Sequence, residues 1–462
     1  MASIKATTRA LKSRLRDSND PLDGLLDEQL LHELCRAIGH SWRCCFWRPT
    51  VVILTFLRQV LLPQCSCRQT VAITTAAARA ARPSEDGPGP SDDPSAYSQA
   101  RQRLPLALLE KLTGRLASGL AQPDQLWHGH PVRVVDGSGV SMPDTPALQE
   151  VFPQPTSQAK GCGFPVARLV AMFCWASGAL LSLVSGSLAI GELALFRQLF
   201  DQLKPNDLVL ADRLFGNYTE LALLQGRGVY AVCRVNAARR LDLRRGQRLA
   251  KGDHRLIWTR PKQVPMGLAM QDWNALPQTL TVRVVRIKTV CQRGFRSRRI
   301  DLVTTLFDSA VYPPEALAEL YRQRWLVELN LRSLKITLGM DVLRCQSPEM
   351  VRKEIAMHQI AYNLIRMLMV RAARTHGVDL QRLSFAGTQQ RLLAWLPHWT
   401  PTATIRAHCR WIHQFLAAIA ADTLPTRPGR NEPRAIKRRR KSYPYLVHPR
   451  HQARKTAWYD KR

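Results

Sequence analysis

The chain predicts a mixed α/β fold, on three observations. Short β-branched runs that end in an acid, VRVVDGSGVSM around Asp136 and DLVLADRLFG around Asp212, alternate with helical stretches, as in a sheet with crossing helices. Between them Leu169 to Ile190 carries no charge and holds Ser177-Gly178 near its middle, which suits two buried strands joined by a turn. Near the C-terminal third, Tyr321 to Lys335 places charged residues in one helical arc and leucines in the next.

The elements follow in order. LLDEQLLHELCRAIG has apolar residues at helical spacing, and a second apolar segment follows Pro49. Residues 81–95, ARPSEDGPGPSDDPS, read as an exposed linker. SAYSQARQRLPLALLEKLTGRLASGL then resumes a helical pattern. From Pro131 a strand ends at Asp136 in a Gly-rich turn, and the 169–190 hairpin follows. A hydropathy window would flag that hairpin as membrane-spanning, but its serines and glycines favour the sheet. A helix from Glu192 to Leu203, a strand delivering Asp212, the helix YTELALLQGRG and the strand VYAVCRV complete the run. A lone acid at a strand end is commonly a turn former or helix cap. Two of them, with a third acid on a core-facing helix, ask for another explanation.

Residues 234–300 hold 17 Lys+Arg against three acids, Asp242, Asp253 and Asp272. Within them TLTVRVVRIKTV alternates apolar and basic residues, predicting a strand with one cationic face that contacts phosphates. Trp258 and Trp273 are candidates for base stacking or for core, with core favoured. IDLVTTLFD returns as a strand, Pro314 opens the next helix, and EIAMHQIAYNLIRMLMVRAA forms a long helix behind it. More helices run to about Ala421. From Arg427 the tail holds 13 Lys+Arg and two acids, with IKRRRK at 436–441, a second backbone-binding patch.

The whole chain has 462 residues, enough for two or three domains. Its 67 Lys+Arg against 35 Asp+Glu leave a net charge of +32, which favours a polyanion: nucleic acid first, an acidic membrane surface second. Eleven scattered cysteines follow a basic N-terminus without an apolar core segment, so free thiols in a reducing cytoplasm are expected. Cys44-Cys45 and Cys65-Ser66-Cys67 lack the spacing of a zinc knuckle.

Tyr321, Arg324, Glu328 and Lys335 fall within an arc of roughly 60° on one helix. Leu320, Val327, Leu331, Leu334 and Leu338 fill the adjacent arc, which puts Glu328 at an interior edge, where an unpaired charge is costly. Asp136, Asp212 and Glu328 together suit two Mg²⁺ ions, a hard cation that takes oxygen ligands and leaves places for water and phosphate. Arg324, Lys335 and Tyr321 would hold neighbouring phosphates.

These residues resemble a known family, the DDE transposases of bacterial insertion sequences, specifically the insertion sequence 4 family. The resemblance rests on Tyr321-x2-Arg324-x3-Glu328-x6-Lys335, with VVDGSG, LADRLFGNY, VTTLFD and AYSQARQRLP in support, and covers roughly residues 95–375. It implies an RNase H-like catalytic core interrupted by a β-rich insertion, with a helical N-terminal domain and a helical, basic C-terminal region. The layout would be 1–94 helical and DNA-binding with its linker, 95–235 and 301–375 the two parts of the core, 236–300 the insertion, and 376–462 the C-terminal region.

By the same resemblance Asp136, Asp212 and Glu328 are catalytic metal ligands for Mg²⁺, with Mn²⁺ substituting, and Tyr321, Arg324 and Lys335 grip DNA phosphates. The implied partner is double-stranded DNA, both terminal repeats and target, bound by a homodimer on paired ends near the nucleoid, with no membrane. The implied reaction nicks the element's ends to release 3′-OH groups, which then attack target DNA. Two other readings fit parts of the pattern: a non-catalytic DNA-binding inhibitor, and a nuclease that cuts without joining.

Overall fold

The computed structural model describes residues 28–42, 45–80, 90–121, 125–236, 238–288, 299–395, 405–425 and 445–459. Expectations for the N-terminal 27 residues, Cys44, most of the 81–95 linker, residues 237 and 289–298 of the basic stretch and the run at 436–441 fall outside them. In chain order the helices α1 (Glu28–Ala37), α2 (Pro49–Leu61), α3 (Cys67–Ala80), α4 (Pro94–Arg103) and α5 (Leu106–Ala121) come first. Strand β1 (Val132–Ser141), helix α6 (Pro146–Val151), strands β2 (Val166–Cys174) and β3 (Leu180–Ser187), and helix α7 (Glu192–Arg197) follow. Next are β4 (Leu208–Ala211), α8 (Tyr218–Gly226), β5 (Tyr230–Arg234), β6 (Gln247–Ala250), β7 (Asp253–Thr259), α9 (Met270–Ala275), β8 (Thr279–Lys288) and β9 (Arg299–Thr304). The remaining helices are α10 (Pro314–Gln323), α11 (Trp325–Arg332), α12 (Pro348–His376), α13 (Phe385–Trp395), α14 (Ile405–Ala420) and α15 (Arg450–Tyr459).

The described residues fall into two compact units. One takes those up to 119 with 336–340 and 349–423, and the other takes 120–335, 341–348 and those from 424 on. The first is helical. Pro94 stands in the first turn of α4, whose cap Asp93 accepts from the Ser95 N–H at 2.9 Å. The helical stretch after the linker is two helices, broken at Leu104-Pro105, because Pro105 cannot donate to the preceding turn. Helix α12 runs 29 residues, and on α13 Gln389 donates to the Leu61 carbonyl at the end of α2 at 2.7 Å, satisfying a helix-terminal acceptor.

The second unit is built on one nine-stranded sheet of order β3-β2-β1-β4-β5-β9-β8-β7-β6. Strands β1, β4 and β5 are parallel neighbours, and the other pairings are antiparallel. The uncharged 169–190 stretch is the hairpin β2–β3, turning at Gly178 with φ +65; β2 is buried, whereas β3, at the sheet edge, is mostly half-buried. No helix among the described residues is long and apolar enough to cross a membrane. One face of the sheet carries a core cluster that runs from Val170 and Val135 through Val209 and Ala231 to Val282 and Val284. Helices α7 and α8 cover that face, and α10 and α11 lie over β5, β8 and β1.

Several local expectations need correction. The strand at Asp136 does not end in a turn: β2 pairs with β1 as far as Ser141, opposite Val166, so the glycines stand inside a strand. The helix after the hairpin stops at Arg197 and continues as a short 3-10 turn over Phe200–Gln202. Residues 236–300 extend the same sheet, since β8 pairs with β9 along Arg283–Lys288. Nor is β8 a strand with a free cationic face. Arg283 is fully buried against Asp253, and Arg286 pairs with Asp301 at 2.8 Å, because β8 is an inner strand beneath α10. Trp258 and Trp273 are buried in the core, with Arg239 and Arg260 over their rings.

The stretch from Tyr321 to Lys335 is not one uniform helix. Around Arg324 it tightens, the Arg324 N–H donating to the Tyr321 carbonyl and the Val327 N–H to the Arg324 carbonyl. It then widens into a π turn over Ser333–Thr337. Such turns occur mostly inside α-helices, and frequently at functional sites.

Candidate active site

The site forms where the parallel strands end. The last matched pair of β1 and β4 is Val134 with Leu210, and Asp136 and Asp212 each lie two residues further on. Side chains two apart share a face, so the ladder aims both acids to the same side. Strand β4 stops at Ala211 while β1 continues, which leaves a step beside Asp136 at the carboxyl end of the sheet, where open α/β sheets bind their ligands. Beyond the step the Asp212 carboxylate accepts from the Leu214 N–H at 2.7 Å, fixing the turn that follows. Gly216 lets this turn lie on β5: a side chain there would strike the Arg234 carbonyl at 2.6 Å.

Helix α11 brings the third acid. Arg324, at the junction of α10 and α11, donates to Glu328 at 2.7 Å and lies 3.6 Å from Asp136. Lys335 donates to Ser138 Oγ of β1 at 2.9 Å. The charged ridge therefore faces β1, and the leucine arc is buried: Leu320, Val327, Leu331, Leu334 and Leu338 are all inside. Tyr321 sits half-buried near Arg324, Cys233, Arg234 and Asp212.

Burial pushes the Asp136 carboxyl up to about 6, against the pull of Arg324 and the Gly137 N–H, and Asp212 and Glu328 add to the rise. For Tyr321, burial outweighs the nearby arginines and lifts the phenol to about 12, so at neutral pH it is a hydrogen-bond donor. Burial works against the Arg324 charge, but Glu328, Tyr321 and Asp136 overcome it and hold its pKa above the usual arginine value.

A fourth carboxylate, which the sequence offers only as the start of a helix, lies near these on the opposite face of β1. Glu192 at the start of α7 is half-buried, and its pKa is raised by burial, then by Asp212 and Asp136, with Arg168 of β2 opposing. An acid in the first turn of a helix ordinarily reads as a partner of the helix dipole, which hid it. Gly137, inside β1, marks the close approach, but the sequence alone offers it as a turn glycine.

The donor set is one of hard carboxylate oxygens, which in kind fits a small divalent cation. Among the described residues, however, no three His, Cys, Asp or Glu side chains stand close enough together to hold one ion as they are. The Arg324 guanidinium lies between Asp136 and Glu328 and neutralises them instead.

Comparison with known proteins adds three findings. Residues 127–364 match the model of a family described as the transposase DDE domain, about half of the chain. Over 367 residues the chain is 29% identical to the transposase InsG for insertion sequence element IS4 of Escherichia coli (strain K12), covering 76% of this chain and 78% of the relative. A cryo-EM structure of the piggyBac transposase synaptic complex with hairpin DNA aligns over 89% of this chain and 86% of its own, with a TM-score of 0.44 and 10% identity.

Proposed function

Because the chain belongs to the DDE transposases, and among them to the insertion sequence 4 family, we propose that it binds the terminal inverted repeats of its own element and moves that element by cut and paste. It would cut DNA at the ends, release 3′-OH groups and join them to target DNA, acting as a dimer on paired ends in the bacterial cytoplasm. The observation that carries this reading is the register of β1 and β4, which aims Asp136 and Asp212 to one side of the sheet end while Arg324 ties Glu328 to the same place.

Asp136, Asp212 and Glu328 would hold Mg²⁺, with Mn²⁺ able to substitute. Two divalent cations there would supply positive charge to the attacking and leaving oxygens of an in-line displacement at phosphorus. The rest is done by the chain. Arg324, which here pairs with Asp136 and Glu328, would be free to offer its planar fork to a phosphate if those carboxylates held cations. Lys335, now spent on Ser138, is a point charge on a flexible stem that can turn to the next phosphate. Tyr321, held protonated by burial, donates a hydrogen bond near Asp212.

The test uses a labelled duplex of the DNA flanking the protein's own gene, incubated with Mg²⁺ and wild type or Glu328→Gln. Cleavage at the repeat boundary followed by a joined product, both absent with the variant, is the expected result. Cleavage without joining would favour a nuclease, and equal cleavage by the variant would remove Glu328 from the site.

A further inference from the structure

Arg324 stands at the joint of two helices. Helix α10 ends at Gln323 and α11 starts at Trp325. Across the joint the hydrogen bonds span three residues: the Arg324 N–H donates to the Tyr321 carbonyl at 3.1 Å, and the Val327 N–H to the Arg324 carbonyl at 3.0 Å. Such a joint leaves the aim of its side chain to the contacts around it. Leu320 and Val327, on either side of Arg324, are buried. Burial is non-directional, so it seats the two helices without fixing their rotation. Yet Arg324 has to reach Glu328 at 2.7 Å and Asp136 at 3.6 Å at once.

A directional contact is made at the joint itself. The indole N–H of Trp175 donates to Gln323 Oε1 at 2.7 Å, on the residue directly before Arg324. Indole N–H groups sealed in a core need such a partner. Trp175 and Gln323 are both half-buried, so the pair is no rescue of a donor in a dry interior.

The sheet holds the indole in place. Asp136 stands opposite Ala171 and Val134 opposite Phe173, and the Trp175 N–H donates to the Val132 carbonyl at 3.1 Å, one step further along the same ladder. Opposite residues of an antiparallel pair share a face, so the ladder that aims Asp136 also aims Trp175. Just before it, β2 shifts register against β3 at Met172/Phe173, the kind of irregularity that re-aims a side chain. The turn beyond is closed by the Gly178 N–H on the Cys174 carbonyl and the Cys174 N–H on the Ala179 carbonyl, both at 2.8 Å. Ser177 Oγ ties it to the Leu120 carbonyl at 3.0 Å. Trp175 is thus a fixed arm that runs from the strand beside Asp136 to the joint beside Arg324.

We propose that Trp175 is a positioning residue of the active site: through Gln323 it sets the joint of α10 and α11 so that Arg324 reaches Asp136 and Glu328 together. The proposal rests on the reading of Asp136, Glu328 and Arg324 as part of a DNA-cleaving site. Trp175 acts through Arg324 and not on the DNA, and it lies well outside the stretch from Tyr321 to Lys335.

The experiment measures single-turnover cleavage of the element's ends with Mg²⁺ at saturating full-length protein. Trp175→Phe keeps a ring and removes the donor, and Gln323→Met keeps the length and removes the acceptor. Each should slow cleavage about tenfold or more, since a small misplacement at a reacting centre is costly. The two together should be no slower than the slower single variant, within about twofold. The readout that separates positioning from mere support is the Arg324→Lys background. There Trp175→Phe and Gln323→Met should each cost less than about twofold, because the fork they aim is gone. Thermal unfolding shows which variants are folded at the assay temperature, and if Trp175→Phe is not, Gln323→Met decides alone. Wild-type rates in both single variants, with Arg324→Lys slowed, would overturn this inference and leave the site standing. So would losses that multiply with Arg324→Lys or, where that background is too slow to read, losses that multiply between Trp175→Phe and Gln323→Met. No cleavage by wild type, or an undiminished rate in Arg324→Lys, would overturn the reading of the site and this inference with it.

Discussion

Two regions of the same sheet use arginine and carboxylate in opposite ways. At β7 and β8, Arg283 and Asp253 are both fully buried, meet through two nitrogens at 2.9 and 2.6 Å, and leave no excess charge. Arg283 also donates from Nη1 to the carbonyls of Leu306 and Asp308. At the ends of β1 and β4, four acids share Arg324 and Arg168, and the Glu328 side chain is 38% exposed. A saturated, dry pair holds a fold in register. An excess of carboxylate at an accessible step weakens the fold by itself, which marks it as a candidate functional site.

The comparison breaks most sharply at the saturated pair. Asp253→Ala leaves a buried guanidinium uncompensated and should cost about 3–5 kcal/mol in urea unfolding. A loss below 1 kcal/mol would mean that the pair is a passenger. The opposite sign is expected at the step. The Asp136 carboxyl is raised from 3.8 to about 6 in the fold, so ionising it opposes folding, and the penalty grows from pH 4 and is complete above pH 6. Asp136→Asn should therefore stabilise the metal-free protein by on the order of 2 kcal/mol at pH 7.5 and by nothing below pH 4. A variant destabilised at pH 7.5 would show that Asp136 is a structural acid like Asp253.

The smallest effect sought is in DNA binding. Arg324→Ala should weaken binding to the element ends and lower the slope of log affinity against log salt by about 0.9 for the one phosphate given up. An unchanged slope would leave Arg324 with its carboxylate duty only.

Much of the site was legible because its residues sit on regular elements. The strand periods around Asp136 and Asp212 and the helical arc of Tyr321, Arg324, Glu328 and Lys335 each survive folding, even though the helix tightens at Arg324 and widens at Ser333. What the pattern hid depends on who the neighbours are. Alternation in TLTVRVVRIKTV suggests an exposed basic face, and only the position of β8 inside the sheet shows that Arg283 is buried. Gly137 reads as a turn glycine until β2 is seen paired along it. Glu192 is twenty residues from Asp212 in sequence and 56 from Asp136, and no local pattern announces where a helix's first residue will point.

The most direct test sets one acid of each region against the other. Asp212→Asn keeps an oxygen for the Leu214 N–H and removes the charge, so it should fold as well as wild type and lose Mg²⁺-dependent cleavage of the element's ends. Asp253→Asn should lose stability in urea, yet cut DNA at a temperature where it remains folded. Both properties are measured on both variants in the same buffer. The account predicts that cleavage separates from stability in this way. An Asp212→Asn protein that still cuts would contradict it.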